Sequence, residues 1–376
     1  MAGLGSALAG AGHDVVVLTV ADRPAELRAT PPEGVRVLRT LVDLPWLPPS
    51  EAVTRIASAN HAVTKIGSRL VGDLEGWEPD IVHAHDWQLG WAADSLAARY
   101  DVPFVLTMHG TERVRHGGQL PLGHPTDINS IEWWLAFQAD RMISPTRFIV
   151  EQLITGFELA DDHVTHIPNG IDPEQWRPAH RFSTPPTPRP PLVVSWGRVQ
   201  YEKGFQVLAR AMHELRGRVP DVEGVIAGRG SYLPELQTQV DVEGVSDILS
   251  LPGYLDDTDL RRLVHRAGCV VIPSLYEPFG IVALEALAAG APLIVARTGG
   301  LAELVADTDS GVTFEPGNPD DLADAIEQVL TNSELATLLV ANARDLVERK
   351  YAWTAIARST SDLYAEVVAN GRHITL

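Results

Sequence analysis

Short apolar runs recur along this chain, each followed by a stretch with helical spacing. The clearest are Asp14–Val20 (DVVVLTV), Asp80–Ala84 (DIVHA), Val102–Met108 (VPFVLTM), Leu192–Trp196 (LVVSW), Cys269–Ile272 (CVVI) and Leu293–Ala296 (LIVA). They are apolar on both sides of the pleat, which predicts strands covered on both faces. Shorter strands are expected at Val35–Leu38, Arg141–Ser144 and Val164–Ile167, with helices at 51–73, 89–98, 131–139 and 146–155. Strands alternating with helices predict an α/β fold with parallel sheets. Ligands of such sheets gather at the C-terminal ends of the strands.

With 376 residues the chain is long enough for two domains. A proline-dense stretch without periodicity, Asp172–Pro191, predicts the connection between them. The expected division is an N-terminal Rossmann-like domain over 1–171, a linker over 172–191 and a C-terminal Rossmann-like domain over 192–353. A last helix at 354–376 is expected to return to the first domain. The net charge of −19 disfavours nucleic acid and anionic membrane as partners. No apolar stretch predicts a membrane span. The single cysteine, Cys269, lies in an apolar run and excludes a disulfide framework. A cytoplasmic location is expected, and a homo-oligomer is left open.

The richest stretch is Pro273–Gly290, PSLYEPFGIVALEALAAG. A turn at 277–280 leads into a helix expected from about Gly280, with Pro278 suited to a helix start. The first N–H groups of such a helix lack intrahelical partners and carry partial positive charge, so they suit a phosphate. Glu277 sits in the turn. Glu285 lies about 7–8 Å along the helix axis at roughly 1.5 Å per residue. Two carboxylates flanking a phosphate-binding amide cluster suit a sugar–diphosphate–ribose ligand. Taken alone, the spacing fits two solvated glutamates equally well. Arg198 and Lys203, in the loop after LVVSW, offer a bidentate fork and a point charge to the same diphosphate, the alternative being two solvated surface cations. Thr298-Gly299-Gly300 is a further phosphate-compatible turn before a helix.

In the first half, strand ends carry His83-Ala84-His85-Asp86-Trp87 and His109-Gly110-Thr111-Glu112-Arg113. His-x-His-Asp invites a metal reading, but no third cluster of ligand types accompanies it. His83 reads as a buried, hydrogen-bonded residue, whereas His85, Asp86 and His109 read as cleft residues. Residues 115–127 are expected to form a loop over them. Trp87, Trp133 and Trp134 are candidates for stacking on sugar rings, with core packing the more frequent role.

The motifs VHAHDW, MHGTERVRH, PNGID, GRVQYEKG, YEPFGIVALEALAAG and TGG stand in an order that resembles retaining glycosyltransferases of the family-4 type, with the GT-B fold. HAHDW and HGTERVRH resemble bacterial glycogen (α-glucan) synthases. The resemblance implies two Rossmann-like domains facing across a cleft, and transfer of a hexose, glucose first, from a nucleoside-diphosphate sugar to an α-glucan. It implies that Arg198 and Lys203 hold the diphosphate, that Glu277 contacts the sugar and that Glu285 holds the ribose. Phe279, Gly280, Ile281, Gly299 and Gly300 would complete the donor site. His109 would face the reacting centre, with His85 and Asp86 on the acceptor side. No metal or other cofactor is implied.

Relatives open with a strand and a Gly-rich loop before the helix that ends here at Gly12-His13, so either a start further upstream or an impaired product is expected. Alternatives are a mannosyl- or glucosyltransferase with a lipid or small-molecule acceptor, a non-catalytic sugar-nucleotide binder, or a nucleotide-sugar epimerase. A glycosidase is disfavoured: it needs two carboxyls flanking one bond, about 5 Å or 6.5–9.5 Å apart, and Glu285, well inside its helix, is not expected to join Glu277 there.

Overall fold

A computed structural model describes residues 2–21, 23–42, 52–70, 74, 76–116, 119–177, 189–306 and 308–372. The chain divides into two compact units. One is Met1–Pro168 with Trp353–Leu376, and the other is Asn169–Ala352. Most of the proline-rich stretch, 178–188, lies outside the described residues, as do 117–118 of the expected loop.

The first unit contains β1 (Val15–Ala21), β2 (Val35–Leu41), β3 (Val82–His85), β4 (Phe104–Thr107), β5 (Arg141–Ser144) and β6 (Val164–His166). They form a parallel pair, β1-β2, and a parallel four-stranded sheet in the order β3-β4-β5-β6. β4 is buried at every position, whereas most of β1 is half-buried despite its apolar sequence. Phe104, Leu106 and Met142 are fully enclosed, and each such side chain contributes about 1.5–3 kcal/mol. The last helix, Trp353–Asn370, packs Ile356, Leu363 and Val367 against Val105, Ile143 and Ile167.

One boundary differs from expectation. The helix expected from Ile131 begins at His124, with Pro125 in its first turn. Residues 124–130 are largely polar, so apolar periodicity is silent there. Proline's fixed φ suits a helix start. The expected loop over 115–127 is shortened further by a turn of helix at Glu112–Arg115, capped by the Thr111 side chain.

The second unit holds one parallel sheet built from β7 (Leu192–Trp196), β8 (Glu223–Ala227), β9 (Leu249–Gly253), β10 (Cys269–Ile272), β11 (Leu293–Ala296) and β12 (Val312–Phe314). Their order is β12-β11-β10-β7-β8-β9. From β7 the chain winds outward through β8 and β9, then returns to place β10 on the other side of β7. The direction of winding reverses between β7 and β10, and the crevice at that reversal is where such sheets bind ligands. Cys269 is buried inside this sheet, and burial pushes its thiol up to about 12.

Candidate active site

The loops that follow β7 and β10 carry Arg198, Lys203 and Glu277. They are held together by backbone. Leu275 N–H donates to Glu202 C=O at 2.8 Å. Gly204 has φ +70°, and a Cβ there would stand 1.8 Å from the Pro273 carbonyl oxygen. Only glycine permits this approach. It brings the Lys203 ammonium within 2.7 Å of Glu277 Oε2, and Ser274 Oγ donates to the same oxygen at 3.3 Å. Arg198 is exposed on the same loop.

The helix after Glu277 spans Ile281–Ala289, with Gly280 at its N-cap in the left-handed region, φ +95°. The close neighbour there is protein: a Cβ on Gly280 would lie 2.5 Å from the Leu301 side chain. Phe279 is buried against the ring of Tyr351, so its side chain belongs to the core. Ile281 is exposed. Gly299 and Gly300 open the helix Gly299–Val305. Gly300 N–H donates to the Glu277 carbonyl at 3.0 Å. That amide therefore steadies the turn carrying Glu277.

Glu285 does not join Glu277. Its Oε2 accepts from the Trp196 indole N–H at 3.1 Å, at the end of β7. Burial pushes its carboxyl up to about 7; the indole N–H opposes the shift and Asp257 adds to it. Sequence reasoning missed Trp196, although the position at a strand end was visible. It also missed Arg229 and the exposed Tyr254, at the ends of β8 and β9, where the guanidinium lies 5.2 Å from the ring centre.

In the first unit, adjacent parallel strands set the geometry. β3 and β4 pair His83 with Val105 and His85 with Thr107. Strand side chains repeat every two residues, so His83 and His85 share one face. Their rings stack at 4.5 Å, and the His109 ring lies nearly parallel to that of His85 with 5.5 Å between centres. His83 Nδ1 is hydrogen-bonded to Tyr364 Oη at 2.5 Å, and His83 Nε2 to Thr107 Oγ1 at 2.7 Å. His85 Nδ1 and His109 Nε2 are 3.2 Å apart. Burial holds the His83 ring down to about 3 and lowers the other two as well. Asp86, itself at φ +56°, accepts the His109 backbone N–H at 2.9 Å. The sequence-predicted trio His85, Asp86 and His109 is thus brought together.

Glu132 was not foreseen. It is 2% exposed, and both carboxylate oxygens accept from the Glu112 N–H, at 3.2 and 3.0 Å. Burial pushes it up to about 8, against the pull of that N–H. Two acids thereby hold the loop after β4, Asp86 at His109 and Glu132 at Glu112. Trp87 is in the core, whereas Trp133 and Trp134 are exposed at 48% and 36%. Among the described residues no group of three or more His, Cys, Asp or Glu side chains is arranged to hold a metal ion. No described helix is long and apolar enough to cross a membrane.

Two parallel α/β units, one with a cation–acid pair and a glycine-capped helix at the reversal of its sheet, have the fold of the GT-B transferases. The fold is that of sucrose-phosphate synthase from Thermosynechococcus elongatus: TM-score 0.80 and 24% identity, covering 98% of this chain and 92% of that one. It is also that of Anabaena HepE, solved with UDP and glucose, with TM-score 0.74 and 18% identity over 97% and 95% of the two chains. Residues 1–175 match Glycosyltransferase Family 4, and residues 177–346 match Glycosyl transferases group 1. A glycogen synthase of Mycobacterium tuberculosis is 35% identical over 369 residues, covering 96% of this chain and 88% of the relative. The chain belongs to the family-4 glycosyltransferases and is an enzyme, a hexosyltransferase.

Proposed function

We propose that this enzyme moves glucose from a nucleoside-diphosphate sugar to an α-glucan, with retention at the anomeric carbon. The observation that carries the donor side is the meeting of Lys203 and Glu277 beside the opening of the helix Ile281–Ala289, at the reversal of the sheet. The glucan side rests on the 35% identity to a glycogen synthase along almost the whole chain.

In this reading Lys203 and Arg198 bind the diphosphate with the amides that open the helix. Glu277 meets the sugar and Glu285 the ribose hydroxyls. Arg229 and Tyr254 offer the base a flat cationic surface. As the C1–O bond to phosphate breaks, negative charge builds on the phosphate and positive charge on the ring. The acceptor hydroxyl attacks C1 from the departing side and its proton passes to a phosphate oxygen. That side of attack gives retention. Losing one preorganised contact to the developing phosphate charge costs about 3 kcal/mol, roughly 100-fold in rate. His109 and Asp86 serve the sugar and acceptor. The chemistry calls on no metal, and the cytoplasm supplies such donors.

The test is to incubate purified protein with UDP-, ADP- and GDP-sugars, with and without glycogen. Glycogen-dependent release of nucleoside diphosphate and sugar incorporation are expected. Release with a lipid or small acceptor but never with glycogen would overturn the glucan reading. Binding without release from any donor would leave a sugar-nucleotide binder.

A further inference from the structure

We infer that His85 is a positioning residue that fixes the tautomer of His109. This rests on the reading above, in which His109 meets the sugar.

The geometry is a row of three imidazoles anchored at one end, His83 stacked on His85 and His85 edge to edge with His109. His83 is tied at Nδ1 to Tyr364 and at Nε2 to Thr107, so its ring cannot turn without losing one of these bonds. His85 is held between the rings of His83 and His109. Its Nδ1 lies 3.2 Å from His109 Nε2. A neutral imidazole carries a proton on one nitrogen and a lone pair on the other. Two neutral rings sharing a nitrogen–nitrogen hydrogen bond must therefore be complementary there. If His85 Nδ1 holds the proton, His109 holds its own on Nδ1. If His109 Nε2 holds it, His109 Nδ1 is an acceptor.

Burial and mutual repulsion keep the rings neutral, with Asp86 the nearby charge that opposes this at His109. Among the described residues no hydrogen bond reaches His109 Nδ1 or His85 Nε2. The protonation of His109 Nδ1 is thus tied to the bond at its Nε2. Tyr364 and Thr107 fix the His83 ring, the His83 ring orients His85 by stacking, and of these two histidines only His85 shares a hydrogen bond with His109. A sugar hydroxyl whose own proton is committed to another acceptor would face a mismatched hydrogen bond at the wrong tautomer, which lowers kcat about 10- to 100-fold.

The experiment uses the full chain labelled with 15N-histidine. Long-range proton–nitrogen correlation at pH 7, without substrate, reads each ring's tautomer. The expected result is one neutral tautomer each for His85 and His109, opposite at the shared bond. In His85→Phe, which keeps a flat ring in the stack, His109 is expected to show averaged tautomers. kcat should fall about 10- to 100-fold with nucleotide affinity unchanged, and His85→Gln should recover part of it. A protonated or averaged His109 in the wild type overturns the inference, with no variant needed. So does a His85→Phe protein with wild-type kcat, or one raised only in acceptor KM, which would make His85 an acceptor contact. The spectrum is decided even if the protein releases no nucleotide, so failure of the functional reading is separately visible.

Discussion

Lys203 Nζ lies 2.7 Å from Glu277 Oε2, with side-chain exposures of only 19% and 14%. A cation proposed for the diphosphate and an acid proposed for the sugar thus neutralise each other in the unliganded protein. Removing Glu277 leaves Lys203 for the phosphate alone. Glu277→Ala is therefore expected to keep nucleoside-diphosphate affinity within a few-fold, or to improve it, while transfer is lost. Lys203→Ala should weaken that affinity and lower kcat/KM about 100-fold. Calorimetric titration with the nucleoside diphosphate, alongside turnover, checks both; undiminished turnover in Glu277→Ala removes Glu277 from the mechanism.

The Trp196 indole N–H favours the ionised form of Glu285, whose carboxyl burial has pushed up to about 7. A carboxylate accepts from ribose hydroxyls better than a carboxylic acid does. Donor affinity is expected to rise a few-fold as pH rises through about 7. Trp196→Phe removes the N–H, so the midpoint of that rise should move to higher pH. Donor binding followed by fluorescence or calorimetry from pH 5.5 to 8.5 reads it. A flat profile in the wild type would take Glu285 out of the ribose site.

Glu132 has a sign that can be worked out. Its carboxyl is raised from 4.5 to about 8 by burial. The unfolded chain gives up this proton at lower pH than the folded one. Stability is fully present below about pH 4.5 and declines, by up to about 1.4 kcal/mol per pH unit, until pH passes about 8. Glu132→Gln keeps an acceptor for the Glu112 N–H and removes the titration. Its melting temperature relative to wild type should rise between pH 5 and pH 8. Parallel melting curves for the two proteins would contradict this.

Gly204→Ala should damage both stability and activity. The added Cβ would meet the Pro273 carbonyl oxygen at 1.8 Å, at a residue with φ +70°. Backbone faces backbone there, so no side chain can yield. A loss of about 3 kcal/mol or more is expected. Separation of the loops after β7 and β10 would also loosen the Lys203–Glu277 pair. Thermal melting and turnover measure the two effects. A variant that melts and turns over like wild type would show that the loops can part freely.

Apolar runs alternating with helical spacing, read without any structure, gave the parallel α/β class. The residues at the strand ends, His85, Asp86, His109, Arg198, Lys203 and Glu277, were legible because a strand followed by glycine or a polar turn marks where a parallel sheet presents its ligands. These are short-range properties, written within a few residues of one another. The partners of the polar groups are not. Lys203 with Glu277, Trp196 with Glu285, His83 with Tyr364 and Glu112 with Glu132 each join residues from separate elements. Which strands lie side by side, and where the last helix packs, decided those pairs. The helix start at His124 was hidden for a related reason, since its first turns bury too little to leave an apolar pattern. Periodicity records which face of a segment avoids water; only packing decides what a buried polar atom meets there.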